Sequence, residues 1–79
     1  MKRDEFVQMM AELLEAEPSE ILPDSSLYDF PSYDSVCALT LMVKLEEDAQ
    51  VVCSPAELAI LKTVGDIERL ITRYGNFES

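Results

Sequence analysis

Seventy-nine residues carry sixteen acidic against six basic side chains, a formal charge of −10 on a very small surface. Such a field repels phosphate backbones and anionic lipid headgroups, which argues against direct nucleic-acid or membrane-surface binding and favours basic protein partners. Because 48% of the residues are apolar, the chain has a core to bury and is not a disordered acidic tail.

The two cysteines, Cys37 and Cys53, lack the neighbours of a zinc site and are too few for a disulfide scaffold. They read as small apolar side chains in a reducing compartment. The opening MKRDEFVQMM puts acids where an export signal needs an apolar core, and no apolar run reaches membrane-spanning length. A single domain over residues 1–79 is expected, cytoplasmic and monomeric, with no membrane insertion.

The elements follow in chain order. Phe6, Met10, Leu13 and Leu14 share one face at helical spacing, which predicts a helix over residues 3–16 that stops before Pro18. Prolines 18, 23 and 31 and the cluster PDSS then exclude regular structure up to Asp34. Ile21, Leu22, Leu27 and Phe30 in this long loop are expected to pin it across the helices. A second helix is predicted from Ser35 to Asp48. Ser54, Pro55 and Glu57 form a capping box around a proline, the start signal of a short third helix ending near Leu61. Thr63 and Asp66 repeat the box before Ile67, Leu70 and Ile71, the stripe of a last helix that ends at Gly75. No window alternates as a strand does. The fold class expected is all-α, with three main helices and one short one.

The second helix has more apolar surface than one face needs. Ala38, Leu41, Met42 and Leu45 form one stripe, assigned to the core; Val36, Leu39 and Val43 form another beside it. Cys37, Thr40, Lys44, Glu47 and Asp48 are left for the polar side. Either the loop with Leu27 and Phe30 covers the second stripe, or Val36, Leu39 and Val43 form an exposed docking surface with Glu46, Glu47 and Asp48 as its polar rim.

Ser35 stands at the start of that helix, after Asp34. A serine or an aspartate there caps a helix. A catalytic serine needs a base, usually histidine, and the chain has no histidine; autonomous hydrolase chemistry is thereby disfavoured. If Ser35 reacts, another enzyme brings the base.

Several segments together resemble the acyl carrier protein family, which includes peptidyl and aminoacyl carriers. Asp34-Ser35-Val36 is similar to the family's Asp-Ser-Leu motif. LPDSSLYDF at 22–30 looks like its long first loop, LEED at 45–48 its acidic segment, SPAEL at 54–58 the start of its short third helix, and KTVGDI at 62–67 the turn into its last helix. The resemblance implies a four-helix bundle with a covalent 4′-phosphopantetheine arm on Ser35, and Asp34 helping to present it to a phosphopantetheinyl transferase. It also implies that Val36, Leu39, Val43, Glu46 and Glu47 meet the basic docking surfaces of acyl- or aminoacyl-transferring and condensing enzymes. On this reading the protein is not an enzyme but a freestanding carrier of acyl or aminoacyl thioesters.

The departures from the pattern have a direction. Positions two and five after the serine, often acidic in fatty-acid carriers, are Cys37 and Thr40, and Lys44 adds a positive charge. A specialised pathway is therefore favoured over housekeeping fatty-acid synthesis. The rival is an acidic helical interaction module in which Ser35 is only a helix cap.

Overall fold

The computed structural model describes residues 1–75 and 77; the last positions of the expected 1–79 domain, 76, 78 and 79, lie outside the described residues. Four α-helices follow one another: α1 (Arg3–Leu14), α2 (Ser35–Ala49), α3 (Pro55–Ala59) and α4 (Val64–Arg73). No strand occurs among the described residues, and the expected all-α bundle with one short helix is what the chain forms. None of its helices is long and apolar enough to cross a membrane.

Both capping boxes close as their spacing dictates. The Ser54 hydroxyl accepts the Glu57 N–H at 3.1 Å and the Glu57 carboxylate accepts the Ser54 N–H at 3.1 Å. Thr63 and Asp66 make the same reciprocal pair at 3.1 Å in each direction. Helices α1 and α2 end on left-handed residues, Glu15 at φ 52° and Gln50 at φ 54°, so α1 stops two residues before its expected end. The N–H of Glu15 returns to the carbonyls of Ala11 and Glu12, and that of Gln50 to Leu45. This satisfies carbonyls that a helix end otherwise leaves bare.

The connection between α1 and α2 is more ordered than its prolines suggest. It contains two single 3₁₀ turns, Pro18–Glu20 and Leu27–Asp29, and is stitched to the turn before α4. Leu27 N–H donates to Lys62 at 2.8 Å, Val64 N–H to Ser25 at 3.0 Å and Gly65 N–H to Pro23 at 2.9 Å. Gly65 is required here: a Cβ at this position would lie 2.8 Å from the Pro23 carbonyl oxygen. On the other side, the Ser32 hydroxyl donates to the Glu15 carboxylate.

One core joins all four helices and the loop. Phe6, Met10 and Leu14 of α1 meet Leu41 and Leu45 of α2, Leu58 of α3, and Ile67, Leu70 and Ile71 of α4. Ile21 and Leu27 of the loop are buried in it and Phe30 packs against it, as expected; Leu22 is not, standing 56% exposed. The core stripe of α2 is also narrower than assigned. Leu41 and Leu45 are fully buried, and Ala49 joins them, whereas Ala38 and Met42 are only half-buried. The short α3 leaves them the floor of a groove instead of a covered seam. Val51 and Cys53, from the connection between α2 and α3, and Val64, the first residue of α4, complete the core where no periodicity announced them.

Phe77, beyond α4, lies against α1. Phe77 meets Phe6 edge-to-face at 5.6 Å between ring centres, with the Arg3 guanidinium 4.5 Å above its ring. Arg3 also pairs with Glu68 at 2.9 Å. The aromatic contact is worth about 0.5–1.5 kcal/mol beyond its buried area.

Candidate functional site

The start of α2 is fixed by Asp34, not by Ser35. Asp34 has extended backbone angles, and its Oδ1 accepts the Cys37 N–H at 2.8 Å, which makes it the N-cap. Ser35 is the first helical residue. Its side chain is exposed and makes no hydrogen bond recorded among the described residues. The cap role held open for Ser35 in the sequence belongs to its neighbour. What remains at Ser35 is a hydroxyl held at the tip of a fifteen-residue helix and open to an approaching enzyme.

An apolar groove of about 380 Å³, with Ser35 in its lining, runs between the loop, α2 and α3. Ala38, Leu39 and Met42 of α2 line one side and Leu58 of α3 faces them, while Tyr28 and Tyr33 flank the end near Ser35. The two tyrosine rings meet edge-to-face at 5.7 Å. Burial raises the Tyr33 hydroxyl above its ordinary pKa, with the Tyr28 and Cys37 side chains adding to the shift, so the ring presents a neutral phenol. No groove role for these tyrosines was read from the sequence, where aromatic residues scattered in a proline-rich segment carry no periodic signal.

The second stripe of α2 is exposed. Val36, Leu39 and Val43 stand 70%, 56% and 51% open to solvent, so the loop covers the core and leaves these three uncovered. They fall within an arc of about 60° on a helix that turns about 100° per residue. Glu46 and Glu47 are both exposed, but on opposite flanks of that arc. Glu47 lies on the side facing α1, where with Lys44 and Asp48 it lines a separate groove.

Cys37 departs from its expected place on the polar side. Its Sγ lies 3.4 Å from the Leu13 carbonyl oxygen and donates to it, turning the side chain into the α1–α2 contact. Burial raises its thiol pKa, and the Asp34 carboxylate adds to the shift, so the group is a neutral thiol rather than a surface nucleophile. Of the two substitutions thought to discharge the docking surface, only Thr40 is exposed, and its hydroxyl bonds back to the Val36 carbonyl at 3.0 Å. The thin charge near Ser35 thus reflects an inward-turned Cys37 as much as a missing acid.

Comparison with known proteins bears on this arrangement. Residues 4–71 match the family model described as phosphopantetheine attachment site. The meromycolate extension acyl carrier protein of Mycolicibacterium smegmatis is 32% identical over 75 residues, covering 90% of this chain and 76% of that protein. An acyl carrier protein of Rhodococcus erythropolis is 35% identical over 69 residues, covering 87% of this chain and 76% of its own length. Orsellinic acid synthase of Beauveria bassiana is 39% identical over 70 residues, which are 87% of this chain and 3% of that much longer protein. Meromycolate extension carriers of other mycobacteria are also longer, and the chain spans 65% of their length. With the family match running through all four helices and relatives of this coverage, the chain belongs to the acyl carrier proteins, carriers rather than enzymes, which hold a covalently bound 4′-phosphopantetheine.

Proposed function

We propose that Ser35 is the attachment point of the 4′-phosphopantetheine arm, and that this carrier serves a specialised acyl-assembly pathway rather than housekeeping fatty-acid synthesis. The observation that carries the assignment is the exposed Ser35 hydroxyl, free of any cap bond, at a helix start already fixed by Asp34. The residues present suit the group: a primary hydroxyl for a phosphodiester, on a residue that itself lines an apolar groove. When bound, the arm supplies a terminal thiol that holds acyl or aminoacyl groups as thioesters.

The chain's own residues do the rest. Asp34 holds the first turn of α2 rigid, so Ser35 meets the transferase in one position. In attachment the Ser35 oxygen would take the phosphopantetheine from coenzyme A, the phosphoanhydride bond breaking and adenosine 3′,5′-bisphosphate leaving, and its proton would go to a base that the transferase brings, since this chain has no histidine. Val36, Leu39 and Val43 offer apolar contact to partner enzymes beside the arm, with Glu46 and Glu47 meeting basic residues at the rim. Tyr28, Tyr33 and Met42 offer the arm or its cargo an apolar rest that keeps water away on one side.

The pathway reading is supported by relatives named for meromycolate extension and orsellinic acid synthesis, and by the weak charge around Ser35. Enzymes that read acids next to the arm find Thr40 and an inward Cys37 there. Co-expression with a broad-range phosphopantetheinyl transferase tests the assignment. The intact mass should rise by one phosphopantetheine, and the Ser35→Ala protein should show no increase. An adduct that persists in Ser35→Ala would place the arm elsewhere. An unmodified wild-type protein would favour the acidic interaction module.

A further inference from the structure

A second groove lies on the side of α2 away from α3. Helices α1 and α2 run antiparallel, since Leu13 meets Cys37 at one end while Asp4 and Glu5 face Glu47 and Asp48 at the other. Between them is a concavity of about 720 Å³ whose apolar floor is formed by Met1, Met9 and Leu13. Its walls carry the carboxylates of Asp4, Glu5 and Glu12 from α1 and of Glu47 and Asp48 from α2, five acids against two positive groups, the Lys44 side chain and the Met1 amino group.

Packing within the protein leaves most of this charge unused. Glu5 accepts the Lys2 N–H at 2.9 Å and so serves the start of α1. The ion pairs recorded among the described residues, Arg3–Glu68 and Arg69–Asp66, draw on none of the five wall carboxylates. Holding this much like charge around an apolar floor disfavours the compact state through self-repulsion, a cost that a bound cationic segment would remove. A second copy of this chain, itself at −10, would meet the same repulsion. Flexible methionines suit an irregular apolar face laid upon them.

We propose that the α1–α2 groove is a docking site for a basic amphipathic helix of a partner protein, separate from the surface around Ser35 except at Glu47, which stands on the border of the two. Leucine-like residues on one face of that helix fill the floor over Met9 and Leu13, while lysines or arginines along its edges meet Glu12 and Asp48. The acidic mouth lies near the C-terminal end of α2. Leu13 carries the other end of the groove to Cys37, but Lys44 lies about 180° and Asp48 about 140° round α2 from Ser35 at about 100° per residue. A partner held there leaves Ser35, Val36 and Leu39 accessible, so one protein can retain the carrier while another acts at the helix tip. The inference rests on the groove and its charge, not on the assignment of Ser35.

The probe is a synthetic Lys/Leu peptide with leucines at helical spacing, titrated into isotope-labelled protein and followed by amide chemical shifts. Saturable shifts confined to α1 and residues 44–48 are expected. A scrambled peptide of the same composition should bind at least tenfold more weakly, because it keeps the charge and loses the apolar face. Asp4→Lys/Glu12→Lys should weaken the patterned peptide about tenfold or more, while the rate of phosphopantetheine attachment stays unchanged. Shifts centred on Val36, Leu39 and Val43, equal binding of the scrambled peptide, or no saturable binding would each overturn the proposal. Such a failure leaves the mass measurement on Ser35 untouched.

Discussion

Replacing Gly65 with alanine separates helix propensity from tertiary packing, because the two give opposite signs. Gly65 is the second residue of α4, and glycine there costs about 0.5–1 kcal/mol relative to alanine. Propensity alone therefore predicts stabilisation. In the folded protein, however, the new Cβ would come 2.8 Å from the Pro23 carbonyl oxygen, a backbone atom that cannot rotate away. Relieving the contact moves the loop off the start of α4 and weakens the bonds from Gly65 N–H to Pro23 at 2.9 Å and from Val64 N–H to Ser25 at 3.0 Å. Two backbone hydrogen bonds at about 0.5–1.5 kcal/mol each, set against the propensity gain, leave a net loss centred on about 1 kcal/mol. A urea slope of about 1 kcal/mol per molar, typical of so small a protein, turns this into a midpoint lower by about 1 M. Circular dichroism during urea unfolding measures it. A Gly65→Ala protein as stable as the wild type, or more so, would show that the loop is not held against α4 as described.

Three further outcomes are expected. Asp34→Ala should cost about 1 kcal/mol, the usual loss of an N-cap, while Ser35→Ala should stay within about 0.5 kcal/mol; the reverse order in denaturation would return the cap to Ser35. Leu45→Ala, at a fully buried position, should cost about 2–5 kcal/mol out of the roughly 4–12 kcal/mol that a chain of this length has, and an unchanged melting temperature would mean the wrong α2 stripe was assigned to the core. The carboxyl of Asp66 is held below its ordinary pKa, first by the Lys62 N–H, then by the Thr63 N–H and Arg69. A depressed carboxylate contributes stability that is present above its unfolded pKa, near 3.8, and is lost as pH falls through the lower folded value. The stability difference between wild type and Asp66→Asn should therefore be constant from neutral pH down to about 5 and shrink below about 4. A difference that does not shrink in acid would exclude the charge on Asp66 as its source.

Features that depend on neighbours in sequence were legible from the chain. The capping boxes at Ser54–Glu57 and Thr63–Asp66 involve groups three residues apart, so their geometry follows once a helix starts. The helical stripes of α1 and α4, the break at Pro18 and the family resemblance were equally readable. The exposed stripe of Val36, Leu39 and Val43 was legible as an excess of apolar surface, but which stripe stays bare depends on where the loop settles. That position is set by hydrogen bonds from Leu27, Val64 and Gly65 to residues about forty positions away, which no local pattern encodes. The same long-range placement leaves Leu22 outside and Ala38 and Met42 as a groove floor, and brings Tyr28 and Tyr33 beside Ser35. Cys37 is the sharpest case: helical periodicity put it on the polar side, whereas contact with the Leu13 carbonyl of another helix turned it inward. Periodicity fixes the angle of a side chain about its own helix, and only the packing of the other helices decides which angles face water.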